Sequence, residues 1–457
     1  MATPLSANAA EAYPSDATPP DLIPLLAGYS SFWVTNGTNT LHGTVLAPQV
    51  LSHDDRLAVW INRHATAAER FKALQDSSYQ NDAGTAYDQS VTISTGLGSV
   101  LGPLYVRGRN SGDLPLTSAL INSSDGTSGA YVGTSGAKAY FSHPRPFVPS
   151  DPDARAVTGD DPGCAPSVVN ASSQRSIRVG KTWADAQGNL RIRRVPATTD
   201  TTHSFSPHDV VLDPAYGTPG LCTGGSFPSG HTTTAYQAGV TLATLLPQLA
   251  PEVLTRASEA GNDRIVLGVH YPLDIMGGRI DGEAALAARW SDPAYRRNVL
   301  LPARAELVGY LQDACGHSLA RCIADQKAYH SNPYAGRRVP GGTAQIVRDR
   351  RSALKVYRER MTYAFPRTGR RNLAASVPAG AGNLLRTTFP TLTPEQRTSV
   401  LAQTEIVSGY PLDESGTPGR SWQRLNLAAA TSARVKVSKD GIVRVVSTGG
   451  RARVLRG

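Results

Sequence analysis

The spacing of apolar residues along the chain predicts a mainly helical protein. Six segments carry apolar residues at helical period and are predicted to be helices: 52–73, 92–110, 117–123, 231–246, 254–269 and 272–290. Pro272 suits the first turn of the last of these helices. Alternating patterns predict a short strand over 190–195 and a β-hairpin formed by 434–437 and 442–446 around Asp440-Gly441.

The segments between these elements suggest how the chain is organised. Residues 1–20 contain several prolines among small polar residues and are expected to be a disordered start. The residues 126–136 form a predicted loop, and the long irregular run 147–189 is expected to act as a lid or binding loop. We therefore predict a main helical domain over 21–372 and an appendage over 373–457, with helices across 378–430 before the hairpin.

Composition narrows the class of protein. The chain has 457 residues, 40% of them hydrophobic and 18% charged, which is ordinary for a globular protein. The net charge of +10 is compatible with an anionic partner, but no zinc-finger spacing or helix-turn-helix pattern supports nucleic acid. No stretch reaches the ~18 consecutive apolar residues of a membrane span.

A basic stretch over 337–371 contains ten Arg and one Lys against Asp349 and Glu359. It has two interpretations, an anion-collecting surface and a solvated helix face, and we favour the second.

Four cysteines and the start of the chain suggest an oxidising compartment. The cysteines match no zinc-site spacing, and sequence proximity favours disulfides between Cys164 and Cys222 and between Cys315 and Cys322. The start lacks a basic and apolar leader, yet the small residues 7–10 resemble the remnant of a signal-peptide cleavage site. We expect a secreted or periplasmic protein, with a cytoplasmic protein as the alternative.

Three short segments contain the residue types that phosphate ester cleavage requires: cations, a hydroxyl, a glycine amide, two imidazoles and a carboxylate. They read Lys-x6-Arg-Pro, Pro-Ser-Gly-His and Arg-x5-His-x3-Asp, and their candidate site residues are Lys138, Arg145, Ser229, Gly230, His231, Arg264, His270 and Asp274. In this order and spacing they resemble the motifs of the type-2 phosphatidic acid phosphatase superfamily. That superfamily also contains bacterial non-specific acid phosphatases and vanadium-dependent haloperoxidases.

The resemblance implies a mainly α fold, a helical bundle of the acid phosphatase/vanadium haloperoxidase type. It implies that His270 is a nucleophile that becomes a phosphohistidine, oriented by Asp274 one helical turn away. His231 would be the general acid and then the base for water. The remaining candidates, Lys138, Arg145, Ser229, Gly230 and Arg264, would bind the phosphate group.

The chain departs from the usual family pattern at Asp263, where a serine is common, which could alter how Arg264 is oriented. The other histidines, including His143, His203 and His208, are interpreted as structural or loop residues, with His143 of most interest because it lies inside the first motif.

The expected activity is that of a metal-independent phosphoric monoester hydrolase without a cofactor, inhibited by vanadate. Its expected substrates are small phosphate esters, with lipid or polymer phosphates also open. Two alternatives remain: a vanadium-dependent haloperoxidase that holds vanadate with the same residues, and a secreted anion-binding protein with a decayed site. The substrate, the pH optimum and the oligomeric state do not follow from the sequence.

Overall fold

A computed structural model describes residues 13–79, 88–121 and 132–456 of the chain, and it is mainly α as expected. Its α-helices of five residues or more, α1 to α13, are Pro48–His64, Ala67–Ser78, Gln89–Ile93, Leu101–Asn110, Pro115–Ile121, Ser135–Phe141, Gly230–Leu245, Ala250–Val266, Pro272–Arg289, Leu301–Cys315, Leu319–Ala324, Arg350–Arg360 and Pro394–Thr404. Strands β1 to β7 are Trp33–Thr35, Gly43–Val45, Thr198–Asp200, Val210–Leu212, Arg434–Val437, Val443–Ser447 and Arg453–Arg456.

The strands form three small sheets. The pairs β1–β2 and β3–β4 are antiparallel ribbons, and the third sheet has the order β6-β5-β7. The predicted hairpin is confirmed as β5 and β6, but β7 was missed. It pairs in parallel with β5, so no tight turn signals it in the sequence.

Helix α8 is the centre of the bundle, and each of its 17 residues is buried. Its first half packs in a hydrophobic cluster with α7, α10 and the C-terminal segment, whereas Ile265 and Val266 at its end join a second cluster that contains α1. The C-terminal residues Val435 and Val443 belong to the first cluster. The appendage therefore shares a core with the bundle, and the domain boundaries given above stay a prediction.

Glycines allow α7 to approach α8 and α9 closely. A Cβ at Gly239 on α7 would lie 2.4 Å from Cβ of Ala257 on α8. On α9, a Cβ at Gly278 would lie 2.6 Å from the carbonyl oxygen of Ser229, and one at Gly282 would lie 2.8 Å from Cβ of Tyr236. The side-by-side packing of the helices that follow His231 and His270 depends on these contacts, since side chains there would force the helices apart.

The polar residues of α8 are buried in pairs. Arg256 donates two hydrogen bonds to Asp76 on α2, at 2.6 and 2.8 Å. Glu259 lies 2.8 Å from Nζ of Lys72, also on α2. Because an unpaired buried charge is strongly destabilising, these pairs fix how α2 sits on α8.

Two predicted helices are interrupted in the structure. The segment 52–73 is divided between α1 and α2 at Thr66, whose hydroxyl caps α2 by accepting from the Glu69 N–H at 3.1 Å. The segment 92–110 is broken at Gly98, whose φ of 100° no helix accommodates. Apolar periodicity continued through both breaks, so the cap and the glycine were the overlooked signals.

The predicted strand over 190–195 is wrong, because within it Leu190 forms a single bridge with Ala184 and the rest is irregular. The Val195 N–H is satisfied by the Tyr216 hydroxyl at 3.0 Å instead of a neighbouring strand. The run 147–189 is irregular as expected and contains only short helical turns.

Several predicted segments fall partly outside the described residues. This is true of residues 122–123 of the helix 117–123, of 126–131 in the predicted loop and of residues 1–12. Within the start expected to be disordered, Pro14–Ala17 form a 3-10 turn in which the Ser15 N–H donates to Asp292 at 3.1 Å.

Most of the cationic side chains in the basic stretch 337–371 are exposed, which is compatible with both interpretations given above. Two arginines of this stretch are more buried and hold α12 against α8. Arg350 pairs with Glu252 at 2.6 Å, and buried Arg360 donates to the Ser258 hydroxyl at 3.1 Å.

Both predicted disulfides are present, Cys164–Cys222 with a sequence separation of 58 and Cys315–Cys322 with a separation of 7. Within the described part of the chain, no helix combines the length and hydropathy needed to cross a bilayer.

The two disulfides should contribute unequally to stability. By loop-closure entropy, Cys164→Ser with Cys222→Ser should lower the free energy of unfolding by about 4 kcal/mol, and Cys315→Ser with Cys322→Ser by about 2 kcal/mol. Urea denaturation of the two double variants beside the unaltered protein measures both losses. An equal or larger loss for the Cys315–Cys322 pair would contradict this account.

Candidate active site

The three sequence motifs converge on one cavity of about 440 Å³. Six of the eight candidate residues line it: Lys138, Arg145, Gly230, His231, Arg264 and His270. The two others, Ser229 and Asp274, lie behind it and are fully buried. The helix termini explain the convergence, because α7 and α9 begin side by side and the Ser229 N–H donates to the Asp274 carbonyl at 3.1 Å.

Two of the cations are held by backbone carbonyls of residues 224–226. Lys138, in the last turn of α6, donates from Nζ to the carbonyls of Gly225 and Ser226 at 3.1 and 3.2 Å. Arg145 donates from Nε to the Gly224 carbonyl at 3.2 Å. These acceptors orient both side chains without neutralising them.

Arg264 is the third cation and lies in the last turn of α8. Its guanidinium donates to the Ser77 hydroxyl at the end of α2. Neither carboxylate oxygen of Asp263, where the family pattern commonly has a serine, accepts a hydrogen bond from Arg264. Burial beside Asp76 and Glu259 holds the pKa of the Asp263 carboxyl well above its usual range.

His270 is held at both ring nitrogens. Nδ1 lies 3.0 Å from Oδ2 of Asp274, which also accepts the N–H of Tyr271, the N-cap of α9, at 2.9 Å. Nε2 lies 3.0 Å from a guanidinium nitrogen of Arg145. Because arginine only donates, Nε2 must be the acceptor, and Nδ1 must carry the proton that it donates to Asp274.

His231 is the second residue of α7, and its Nε2 lies 3.3 Å from the Ser77 carbonyl. The preceding Gly230 lets the chain pass close to Thr134, because a Cβ there would lie 2.8 Å from the threonine hydroxyl. Ser229 is the N-cap of α7, and its hydroxyl oxygen accepts the Thr232 N–H at 3.3 Å and the Thr232 hydroxyl at 2.9 Å. Its hydroxyl thus caps the helix and is not part of the cavity wall.

Burial and the clustered charges shift the pKa values of the site residues. Burial and the neighbouring Arg145 hold the pKa of Lys138 well below its usual range. Burial and the surrounding cations also lower the pKa of both imidazoles, with Arg145 acting on His270 and Arg264 on His231. Burial raises the pKa of Asp274 to about 7. The cavity favours a bound anion, which would relieve the repulsion between the cations.

Some residues of the site were not predicted. Ser77 contacts both His231 and Arg264, yet it lies far from either motif in the sequence and carries no local signal. Ser226 donates to Oδ1 of Asp274 at 3.3 Å, and a polar residue just before the Pro-Ser-Gly-His motif was the available clue. Within the described ranges, no three His, Cys, Asp or Glu side chains are grouped so as to hold a metal ion.

The sequence profile of the PAP2 superfamily matches residues 126–298, which contain all three motifs. The chain is 41% identical over 88 residues to an acid phosphatase of Zymomonas mobilis, covering 19% of this chain and 33% of that protein. It is 30% identical over 79 residues to a non-specific acid phosphatase of Providencia stuartii, covering 17% and 32% of the two chains.

A non-specific acid phosphatase of Salmonella typhi is 34% identical over 75 residues, or 16% of this chain and 30% of that protein. The chain thus spans about a third of the length of these curated relatives. The matched profile, the similarity to bacterial acid phosphatases and the convergence of the motifs show that residues 126–298 contain a PAP2 superfamily domain.

Proposed function

We propose that the protein is a phosphatase that hydrolyses phosphate monoesters through a phosphohistidine formed on His270, without a metal ion. The orientation of this imidazole carries the proposal. Asp274 accepts the proton on Nδ1, and Nε2 is the ring nitrogen that faces the cavity cation Arg145. A neutral imidazole held in this way can act as a nucleophile through Nε2.

Substrate binding begins with the cations. The phosphate oxygens take the place of His270 Nε2 as acceptors for Arg145, since a dianion is a stronger acceptor than a neutral imidazole. Lys138 and Arg264 bind further oxygens, and the first turn of α7 offers the Gly230 amide. These groups neutralise the charge that makes phosphate monoesters resistant to attack, which is the task a metal ion performs elsewhere.

Phosphoryl transfer then proceeds in two displacements. Nε2 of His270 forms a bond to phosphorus while the bond to the leaving oxygen breaks, and His231 donates a proton to that oxygen. The positive charge that develops on His270 is stabilised by the Asp274 carboxylate. Water next attacks phosphorus while His231 takes a proton from it. The nitrogen–phosphorus bond breaks, inorganic phosphate is released and neutral His270 is regenerated.

The cavity favours small phosphate esters. Its outer wall includes Val132, Thr134 and Leu221, which offer both apolar and hydroxyl contacts to a leaving group. Leu221 is next to Cys222, so the disulfide to Cys164 ties this wall to the irregular segment 147–189. Because such disulfides persist in oxidising surroundings, we propose a secreted or periplasmic location.

Lys138→Met should weaken binding of inorganic phosphate about tenfold or more, because it removes a cation that contacts the anion. The phosphate-free variant should melt at the same or a higher temperature, since a buried cation beside Arg145 has been removed. Thermal shift measured across a phosphate titration reports both effects. Lys439→Met, an exposed control, should keep the full shift, and a full shift in Lys138→Met would contradict the binding role.

His270→Ala and His231→Ala should differ in their dependence on the leaving group. His270→Ala should abolish turnover of every ester, whereas His231→Ala should slow alkyl phosphates about 10²- to 10⁴-fold and p-nitrophenyl phosphate far less, because nitrophenolate leaves without a proton. Steady-state kinetics on both substrates, with His203→Ala as an exposed loop control, measure this. Equal losses for both substrates in His231→Ala, or a phosphoenzyme trapped in His270→Ala, would reverse the assigned roles.

Activity should survive treatment with EDTA and should be inhibited by vanadate, which can occupy the phosphate position as a five-coordinate analogue. Hydrolysis of p-nitrophenyl phosphate before and after chelation, and with increasing vanadate, provides the measurement. Activity lost to the chelator and restored by a divalent cation would refute the metal-free scheme. Bromide oxidation with vanadate and peroxide, in a protein that does not hydrolyse the ester, would instead identify a haloperoxidase.

A further inference from the structure

Behind the cavity, a run of buried polar side chains leads away from the carboxylate that contacts His270. We propose that His143 and Ser226 are positioning residues, which hold the Asp274 carboxylate in place through a one-directional chain of hydrogen bonds. This proposal deepens the proposed function and rests on it, because Asp274 orients the nucleophile. Neither residue lines the cavity among the described side chains, so neither would touch substrate.

The near end of the hydrogen-bond chain links Asp274 of the third motif to His143 of the first motif through Ser226. Oγ of Ser226 lies 3.3 Å from Oδ1 of Asp274, on the carboxylate oxygen opposite to the one that accepts from His270. Nδ1 of His143 lies 3.1 Å from the same Ser226 hydroxyl. The Ser226 N–H also donates to the His143 carbonyl at 2.7 Å, so backbone and side chain align the two residues together.

The far end of the chain is a buried ion pair. Nε2 of His143 contacts the side-chain nitrogen of Gln174, and the side-chain oxygen of Gln174 accepts from Arg178. Arg178 is fully buried and donates two hydrogen bonds to Asp55, at 2.9 and 3.0 Å. The Gln174 amide is thereby fixed with its oxygen toward Arg178, since a guanidinium only donates.

The chemistry of the two ends sets the direction of every link. Arg178 can only donate and the ionised Asp274 can only accept, so Gln174 must donate to His143, which must in turn donate to Ser226. This order requires a neutral His143 with its proton on Nδ1 and a lone pair on Nε2. A second route runs from Arg145 through His270 to Asp274, and there too each group donates toward the carboxylate. Both routes therefore end in a donor to Asp274.

The surroundings of His143 favour the neutral form and fix the ring. The ring is packed edge-on against three aromatic rings, with centroids 5.8 Å from Tyr29, 5.0 Å from Trp33 and 5.2 Å from Tyr271. Burial and the charge of Arg178 hold the pKa of His143 well below its usual range. An imidazolium here would turn an N–H toward the Gln174 amide nitrogen and break the chain.

Asp274 is sensitive to the loss of one donor. Burial raises the pKa of its carboxyl to about 7, while the Tyr271 N–H, the cations Lys138 and Arg145, and the Ser226 hydroxyl act to lower it. Asp54 and Tyr29 also lie near the carboxylate, and burial together with the negative charge of Asp274 raises the pKa of both. His270 contacts the carboxylate directly, and the Tyr271 hydroxyl also lies within reach of its charge. Without Ser226 as a donor, Asp274 should take up its proton at a higher pH.

Ser226→Ala should therefore lower kcat about tenfold, leave KM within about twofold and move the acidic limb of the kcat/KM profile up by about one pH unit. A hydrogen bond to a charged group is typically of this magnitude. Ser94→Ala is the matched control, because Ser94 is equally buried. Its hydroxyl donates to the Val91 carbonyl and takes no part in the hydrogen-bond chain to Asp274. A Ser226→Ala profile that superimposes on the control would overturn the proposal.

Two replacements of His143 separate its two contacts. In His143→Asn, the side-chain amide places a donor where Nδ1 was. The acidic limb of the kcat/KM profile of this variant should therefore be nearly unaltered. In His143→Gln, the amide reaches only toward Gln174, so this variant should behave like Ser226→Ala. The opposite ranking, or equal profiles in both, would count against a donor role for Nδ1.

A measurement independent of activity tests the direction of the chain in the unaltered protein. In ¹⁵N NMR of histidine-labelled protein, the resonances of His143, identified by their loss in His143→Gln, should show a protonated Nδ1 and an unprotonated Nε2. A proton on Nε2, or on both nitrogens, would overturn the proposal. Absence of phosphatase turnover with the expected tautomer present would instead reject the proposed function and leave the hydrogen-bond chain intact.

Discussion

The burial of positive charge around one cavity is the constraint on which the rest of the site depends. Lys138 and Arg145 repel each other in surroundings with little water, and the backbone carbonyls of 224–226 offset part of that cost. Gly225 is required there, since a Cβ would lie 2.4 Å from the Lys138 carbonyl oxygen. Three residues later the same segment caps α7, so holding the cations and starting the helix are tasks of one short stretch.

On the other side of the cavity, buried contacts between α2 and the bundle core hold two further site residues. Ser77 holds His231 through its carbonyl and Arg264 through its hydroxyl, and its neighbour Asp76 pairs with Arg256. A buried ion pair between α2 and α8 therefore determines where two site residues are held. Such a pair contributes little net stability relative to apolar packing, but it allows only one alignment of the helices.

Features that depend on neighbouring residues in the sequence could be predicted, whereas features that depend on contacts between distant segments could not. The helices α7, α8 and α9 and the motif residues at their ends were predictable, because periodicity, caps and spacing are local. Ser77 was not, since its role arises when α2 packs against α8, far away in the chain. The assignment of Ser229 to phosphate stays a prediction, and the sequence did not show that its hydroxyl oxygen also accepts from Thr232 at the helix start.

The His143 network illustrates the same limit. Its histidine lies in the first motif, yet Gln174 and Arg178 come from the irregular segment in which no pattern was recognised. Neither spacing nor composition brings these residues together. They meet because that segment folds back onto α1, where Asp55 pairs with Arg178.

The glycine contacts between α7, α8 and α9 have a consequence for how such a protein can diversify. Gly239, Gly278 and Gly282 leave no room for a single added methyl group without displacing a neighbouring helix, so the packing of these three helices tolerates little variation. The wall near Thr134 and Leu221 is built from short loop and turn segments without this restriction. Selection for altered ligands should therefore find its mutations in this wall, while the close-packed glycines of the three helices stay unchanged.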